Sequence, residues 1–124
     1  VVFHGDVADV RSHYLSANIV VVPSMFESFG YVAVEAMLCG RPVVASNVGG
    51  LPEIVIDSVT GWLFQCGDSV ELADKIEDII ENIEEANRIV EIARSRALEH
   101  FDVGRMAARL YSAYAHAEHV RAAH

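Results

Sequence analysis

The sequence predicts an α/β domain, a parallel sheet flanked by helices. Three observations lead there. Ile19, Val20, Val21 and Val22 form a short, continuous β-branched run, the pattern of a strand covered on both faces, and Pro23 ends it because proline cannot donate to a ladder. A nearly all-apolar helical stretch follows at residues 30–39, and Gly40 and Pro42 separate it from a second apolar run, Val43, Val44 and Ala45. The order strand, loop, helix, strand is the unit from which parallel sheets are built. From Asp68 onward the apolar residues recur at helical spacing instead.

Taken in order, Val1, Val2 and Phe3 read as a strand leading into the loop His4, Gly5, Asp6. Asp9 caps a short helix over residues 10–17, whose Val10, Tyr14 and Leu15 share a face. After the strand at residues 19–22 and a loop at 24–29, Gly30 gives the backbone freedom where the chain turns into its central helix. Gly40 closes that helix as a left-handed cap. Beyond the next strand, Ser46, Asn47, Val48, Gly49 and Gly50 form a glycine-rich turn, and residues 51–55 make one helical turn with Pro52 near its start. Residues 57–61 are a turn, and Trp62, Leu63 and Phe64 a last short strand. Asp68 and Glu71 have the spacing of a capping box ahead of Leu72, Ile76, Ile79 and Ile83. A second helix places Ile89, Ile92, Ala93 and Ala97 on one face. After Phe101 and Asp102 a third carries Met106, Leu110, Tyr111 and Tyr114, with a polar, frayed end at residues 116–124.

A chain of 124 residues, 52% hydrophobic and 22% charged, is long enough for one domain with a real core. No stretch approaches the roughly 20 apolar residues that span a bilayer. Nine basic residues against 18 acidic ones give a formal charge of -9, which opposes binding to nucleic acid or anionic lipid. Before Lys75 the basic residues are Arg11 and Arg41 alone. Between Asp68 and Glu91 nine acids stand against two bases, which reads as a solvated helix face. Cys39 and Cys66 lack a metal spacing and fit a reducing compartment. The six histidines show no spacing with other ligands, so no metal is expected. The chain starts within its first expected strand, without a methionine, which reads as a piece rather than a whole.

Two carboxylates break the apolar centre, Glu27 and Glu35, eight positions apart. Glu35 is the one charge inside the central helix, and a buried charge needs a partner. Its carboxylate is either a ligand-binding group or a buried acid bonded to neighbouring backbone. Glu27 stands near the helix N-terminus, where an acid is favoured by about 0.3 to 1 kcal/mol. In strand-loop-helix units ligands sit at the carboxyl ends of the strands and anions at helix N-termini, and Glu27, Ser28, Phe29, Gly30 and Tyr31 occupy that place. The amides near Gly30 and Tyr31 would hold such an anion. Ser28 and Phe29 border the loop as lining or as ordinary packing. Gly49 and Gly50 either let a loop approach a ligand or form a plain turn. Glu53 caps or solvates its own turn, and Trp62 reads as core.

The run ESFGYVAVEAMLCGRPVVAS, followed by NVGGLPEIV and then TGWLF, resembles the donor-binding domain of the retaining GT-B glycosyltransferases, specifically their large fourth family, group 1. The paired glutamates with seven residues between them, the glycine after the helix and the G-G-x-x-E-I-V run occur together and in order. The likeness covers roughly residues 1–114, weakly over the last helices. It implies a Rossmann-like sheet, that of a GT-B C-terminal domain lacking its first two strand-helix units. Residues 1–100 would be a partial nucleotide-sugar-binding domain, and 101–124 a C-terminal helix packing on or beyond it. The implied reaction is retaining transfer of a hexosyl type from a nucleotide-diphosphate sugar, with no cofactor and no metal, protein dipoles and cations stabilising the leaving diphosphate. By the same resemblance Glu35 matches the glutamate that accepts hydrogen bonds from the donor ribose. Glu27 matches the catalytic glutamate that contacts the transferred sugar. Ser28, Phe29, Gly30 and Tyr31 complete the donor-binding set. The loop at His4 would lie near the base. The acceptor, a sugar, lipid or other small molecule, would be met through a separate N-terminal domain. Nucleic acid is not an expected partner. A cytoplasmic location is expected, with peripheral membrane contact open to the complete enzyme.

The departures from that pattern carry expectations of their own. The family's basic pair, Arg and Lys on earlier strand-helix units, has no match here, and the acceptor domain is absent. If residues 1–3 are the third strand of a sheet ordered 3-2-1-4-5-6, the two strands that should separate it from residues 19–22 are missing. Unpaired edges of that kind invite self-association. The expectation is a fragment of a glycosyltransferase donor domain, inactive by itself. The alternative is a non-catalytic nucleotide-binding or assembly module that completes its sheet with a partner chain. A degenerate domain kept for packing is a third reading, opposed by intact Glu27 and Glu35.

Overall fold

Three short parallel strands, β1 (Val20–Val22), β2 (Val43–Ser46) and β3 (Trp62–Phe64), lie side by side in that order, with Val20 opposite Val43 and Val44 opposite Trp62. The helices given by residues 1–101 are α1 (Val10–Ser16), α2 (Tyr31–Leu38), α3 (Leu51–Ile54), α4 (Ser69–Glu81) and α5 (Ile83–His100). The computed structural model describes residues 1–101 together with Gly104, Arg105 and Ala108. The expected α/β class, a parallel Rossmann-like sheet flanked by helices, is what the chain adopts.

Every residue of β2 is buried, as a middle strand between two layers requires. Successive side chains of a strand point to opposite faces, so Val43 and Ala45 serve one layer and Val44 the other. On the first face lie Ala33, Val34, Ala36 and Met37 of α2, Leu51 and Ile54 of α3, and Ala93 and Ala97 of α5. Trp62, Phe64, Ile79 of α4 and Ala86 and Ile89 of α5 form the second. Helix α5 thus belongs to both layers, its small alanines letting it lie close to α2.

Most boundaries follow local chemistry. The carboxylate of Asp9 accepts from the Ser12 amide at 3.1 Å and caps α1, and Gly40, with φ of 68°, stands one residue past the C-cap Cys39 of α2. Asp68 accepts from the Glu71 amide at 2.9 Å. The reciprocal half of the capping box is redirected: the Glu71 carboxylate takes the Gln65 amide at 2.7 Å, because the Asp68 amide already donates to the Gln65 carbonyl. Asp68→Ala should therefore cost about 1 kcal/mol in urea denaturation, the usual loss for an N-cap carboxylate.

Four expectations are corrected. Val1, Val2 and Phe3 do not form a strand and are exposed, Phe3 to 92%. A β-branched run becomes a strand only beside a partner, and among the described residues no strand lies beside them. Ile83 does not continue the apolar face of α4. The Asn82 side chain donates to the Asp78 carbonyl and carboxylate, α4 ends, and Ile83 begins α5 exposed to solvent. On α1, Tyr14 is buried whereas Leu15 is exposed, and on α5 Ile92 turns outward beside buried Ile89, Ala93 and Ala97. The third helix expected around Met106, Leu110, Tyr111 and Tyr114, and the frayed end at 116–124, lie outside the described residues. Trp62 is core, 3% exposed, and both thiols are free.

Candidate functional site

The loop at residues 24–29 leaves the carboxyl end of β1 and enters α2, and its main chain is pinned from two sides. Ser46, fully buried at the end of β2, donates its hydroxyl to the Ser24 carbonyl at 2.6 Å. The Cys66 thiol reaches the same carbonyl at 3.8 Å. From the other side the Gly50 amide donates to the Glu27 carbonyl at 3.0 Å. A Cβ at Gly49 would lie 1.8 Å from that carbonyl oxygen, and one at Gly50 would lie 2.6 Å from the Ser28 carbonyl. The glycine pair therefore serves close approach, of loop to loop.

Glu27 caps α2 from outside the helix. Its Oε1 accepts the Gly30 amide at 3.1 Å and its Oε2 the Ser24 hydroxyl at 3.4 Å. Gly30 occupies the N-cap with φ of 96° and has no side chain to cap with, so the carboxylate three residues earlier supplies the acceptor. Of the two amides expected to face an anion, that of Gly30 is thus already donated to Glu27. Ser28 is exposed, and the rings of Phe29 and Tyr31, both 39% exposed, meet at 4.5 Å between centroids. Phe29 also meets Phe101 edge-on at 5.9 Å.

Glu35 is buried, 9% exposed, in the second turn of α2. Helical side chains lean toward the N-terminus, so this carboxylate leans toward the Gly30 end. Its partner is the hydroxyl of Tyr14 on α1, which donates to Oε2 at 2.9 Å. The backbone partner that the sequence left open for a buried acid is replaced by a side chain 21 residues away. Periodicity placed Tyr14 on a buried face, but nothing in it named the partner.

Positive charge gathers at the opposite end of α2. Burial pushes the Cys39 thiol up, while Arg11, Arg41 and Arg94 stand close enough to pull it down. Arg41 also donates to the Ala17 carbonyl at 3.3 Å. These cations complement the negative end of the helix dipole. With eight residues α2 is about 12 Å long, and these cations gather about its Cys39 end. Among the described residues no three His, Cys, Asp or Glu side chains are grouped as metal ligands. A groove of about 440 Å³, lined by Ile56, Thr60, Ile92 and Arg96 among others, contains none of the candidate residues.

Residues 1–96 match the family described as glycosyl transferases group 1. The chain belongs to that family. A D-inositol 3-phosphate glycosyltransferase of Paenarthrobacter aurescens is 40% identical to this group 1 chain over 106 residues, which cover 86% of the chain and 26% of the relative. The group 1 chain thus spans about a quarter of the length of that curated relative. An uncharacterized glycosyltransferase of Methanocaldococcus jannaschii is 46% identical over 76 residues, 61% of the chain and 22% of that protein. Among solved structures, Anabaena Alr3699/HepE in complex with UDP superposes with a TM-score of 0.75 at 33% identity, covering 95% of the chain and 31% of the other. The C-terminal domain of a group 1 family protein, LpcC of Francisella tularensis, gives 0.74 at 29% identity, over 83% of the chain and 53% of that domain.

Proposed function

We propose that this chain is the donor-binding part of a group 1 glycosyl transferase and holds a nucleotide-diphosphate sugar at the loop of residues 27–31 and the adjoining turns of α2. The observation that carries the reading is the rigid placement of two carboxylates about one helix N-terminus at the carboxyl end of β1, the position where such folds bind anionic ligands. The likeness to a protein solved with UDP and with UDP-glucose supports it.

In this reading Glu35 accepts from the ribose hydroxyls, and Glu27 contacts the transferred sugar as the catalytic residue. Phe29, Tyr31 and Ser28 border the donor, and the diphosphate lies against the start of α2, where it competes with Glu27 for the Gly30 amide. The family's basic pair has no match in this chain, so cations from elsewhere in the enzyme neutralise the diphosphate. Transfer is of the retaining, hexosyl type, needs no metal, and takes place in the cytoplasm on an acceptor presented by another domain. The outer side of β1 pairs with no strand among the described residues, which leaves that edge to an upstream segment or to a second copy.

The test is an amide-resolved NMR titration of the chain with UDP, GDP and ADP, beside Glu35→Ala. One nucleotide is expected to shift Gly30, Tyr31 and the neighbourhood of Glu35, and the variant to weaken it about 10- to 100-fold, the worth of one hydrogen bond to a charged acceptor. Dispersed spectra without shifts at millimolar nucleotide would remove the donor reading.

A further inference from the structure

We propose that Tyr14 is a positioning residue for Glu35: its hydroxyl takes one carboxylate oxygen and sets the plane in which the other is offered to a ribose hydroxyl. This inference rests on the donor reading above. The two residues sit on different helices, 21 positions apart, each 9% exposed, and meet at 2.9 Å. A carboxylate on a flexible stem has two equivalent acceptor oxygens, and a sugar diol can meet it in several ways. With Oε2 bonded to a phenol, rotation about the last side-chain bond is restricted, and in the proposed role Oε1 is thereby offered to the ligand in one preferred orientation. The order this imposes exists before ligand arrives, so binding does not have to supply it.

A phenol placed only to satisfy a buried acid would look similar in the unbound chain, but the two roles differ in what they do to sugar recognition. A purely structural bond supports every ligand alike. A positioning bond acts only on ligands that present the hydroxyl Glu35 accepts.

The experiment measures the dissociation constants of UDP, 2′-deoxy-UDP and 3′-deoxy-UDP for the chain and for Tyr14→Phe, with Glu35→Gln in parallel. We expect Tyr14→Phe to weaken UDP about three- to tenfold, the range of one neutral-donor hydrogen bond, and to leave unchanged the deoxy analogue that lacks the Glu35-bonded hydroxyl. Equal weakening of all three ligands, or of none, overturns the positioning role. If Glu35→Gln fails to lower the preference for UDP over its deoxy analogues, or if no nucleotide binds at millimolar concentration, the donor reading itself fails and takes this inference with it. If Glu35→Gln lowers the preference and Tyr14→Phe does not, only the role of Tyr14 is lost. Should Tyr14→Phe give an undispersed spectrum, 3-fluorotyrosine at position 14 keeps ring and hydroxyl while making the phenol a stronger donor. A change in UDP affinity without a change for the insensitive analogue then supports the proposal, and no selective change overturns it.

Discussion

Gly49→Ala is expected to destabilise the chain by about 3 kcal/mol or more, a large share of the roughly 5–15 kcal/mol that keeps a domain folded. Two costs add. Gly49 sits at φ of 52°, a left-handed conformation that costs an L side chain roughly 1–2 kcal/mol. Its new methyl would also lie 1.8 Å from the Glu27 carbonyl oxygen, a backbone atom with nowhere to retreat. That carbonyl is bonded to the Gly50 amide, and the same loop is held at Ser24 by the Ser46 hydroxyl. Gly40→Ala is the control. Gly40 has φ of 68° but nothing within 4 Å of the place a methyl would take, so this variant bears the backbone cost alone. In urea denaturation Gly40→Ala should lose about 1 kcal/mol and Gly49→Ala clearly more. Coincident midpoints would show that the loops part without cost.

Glu27→Gln is expected to lower affinity for UDP-glucose about 10- to 100-fold relative to that for UDP, whose diphosphate gains from weaker competition for the Gly30 amide. The substitution keeps size and an oxygen that accepts the Gly30 amide, so the cap on α2 is retained. What it removes is the charge, and a hydrogen bond to a charged group contributes about 1.5–3 kcal/mol. If Glu27 touches the transferred sugar, that loss falls on the sugar-bearing ligand alone. Calorimetric titration of both ligands into both proteins decides it. Equal losses for UDP and UDP-glucose would mean that Glu27 acts only by shaping the loop, and its assignment to the sugar would be withdrawn.

What could be read along the chain and what could not divides by distance in sequence. The helix start at Gly30, its end near Cys39, the three strands after Ser16 and the cap at Asp68 each depend on residues within one turn of one another, and they stand where the local pattern puts them. The acid near the N-terminus of α2 was visible as such, and it does cap that helix. Contacts across the chain were not visible. The bond between Tyr14 and Glu35 joins two helices through a strand and a loop, and a helical period shows which face is buried without showing what it meets. For Gly49 and Gly50 the sequence left a ligand's approach and a plain turn equally open, and only the fold reveals that the main chain of Glu27 and Ser28 is what comes close. Val1, Val2 and Phe3 failed for the same reason in reverse: their strand pattern was local, and no strand among the described residues lies beside them to realise it.

The loop that bears Glu27 is held by main-chain atoms, namely the carbonyls of Ser24 and Glu27 and the close seat of the Ser28 carbonyl on Gly50. Its side chains at Met25 and Phe26 carry none of that fastening and are 73% and 92% exposed. The shape of the loop and its chemical face are therefore separable properties. Residues 25, 26 and 28 form a writable surface on a fixed frame, on which selection or a designed library can change what is recognised without moving the carboxylate beside it.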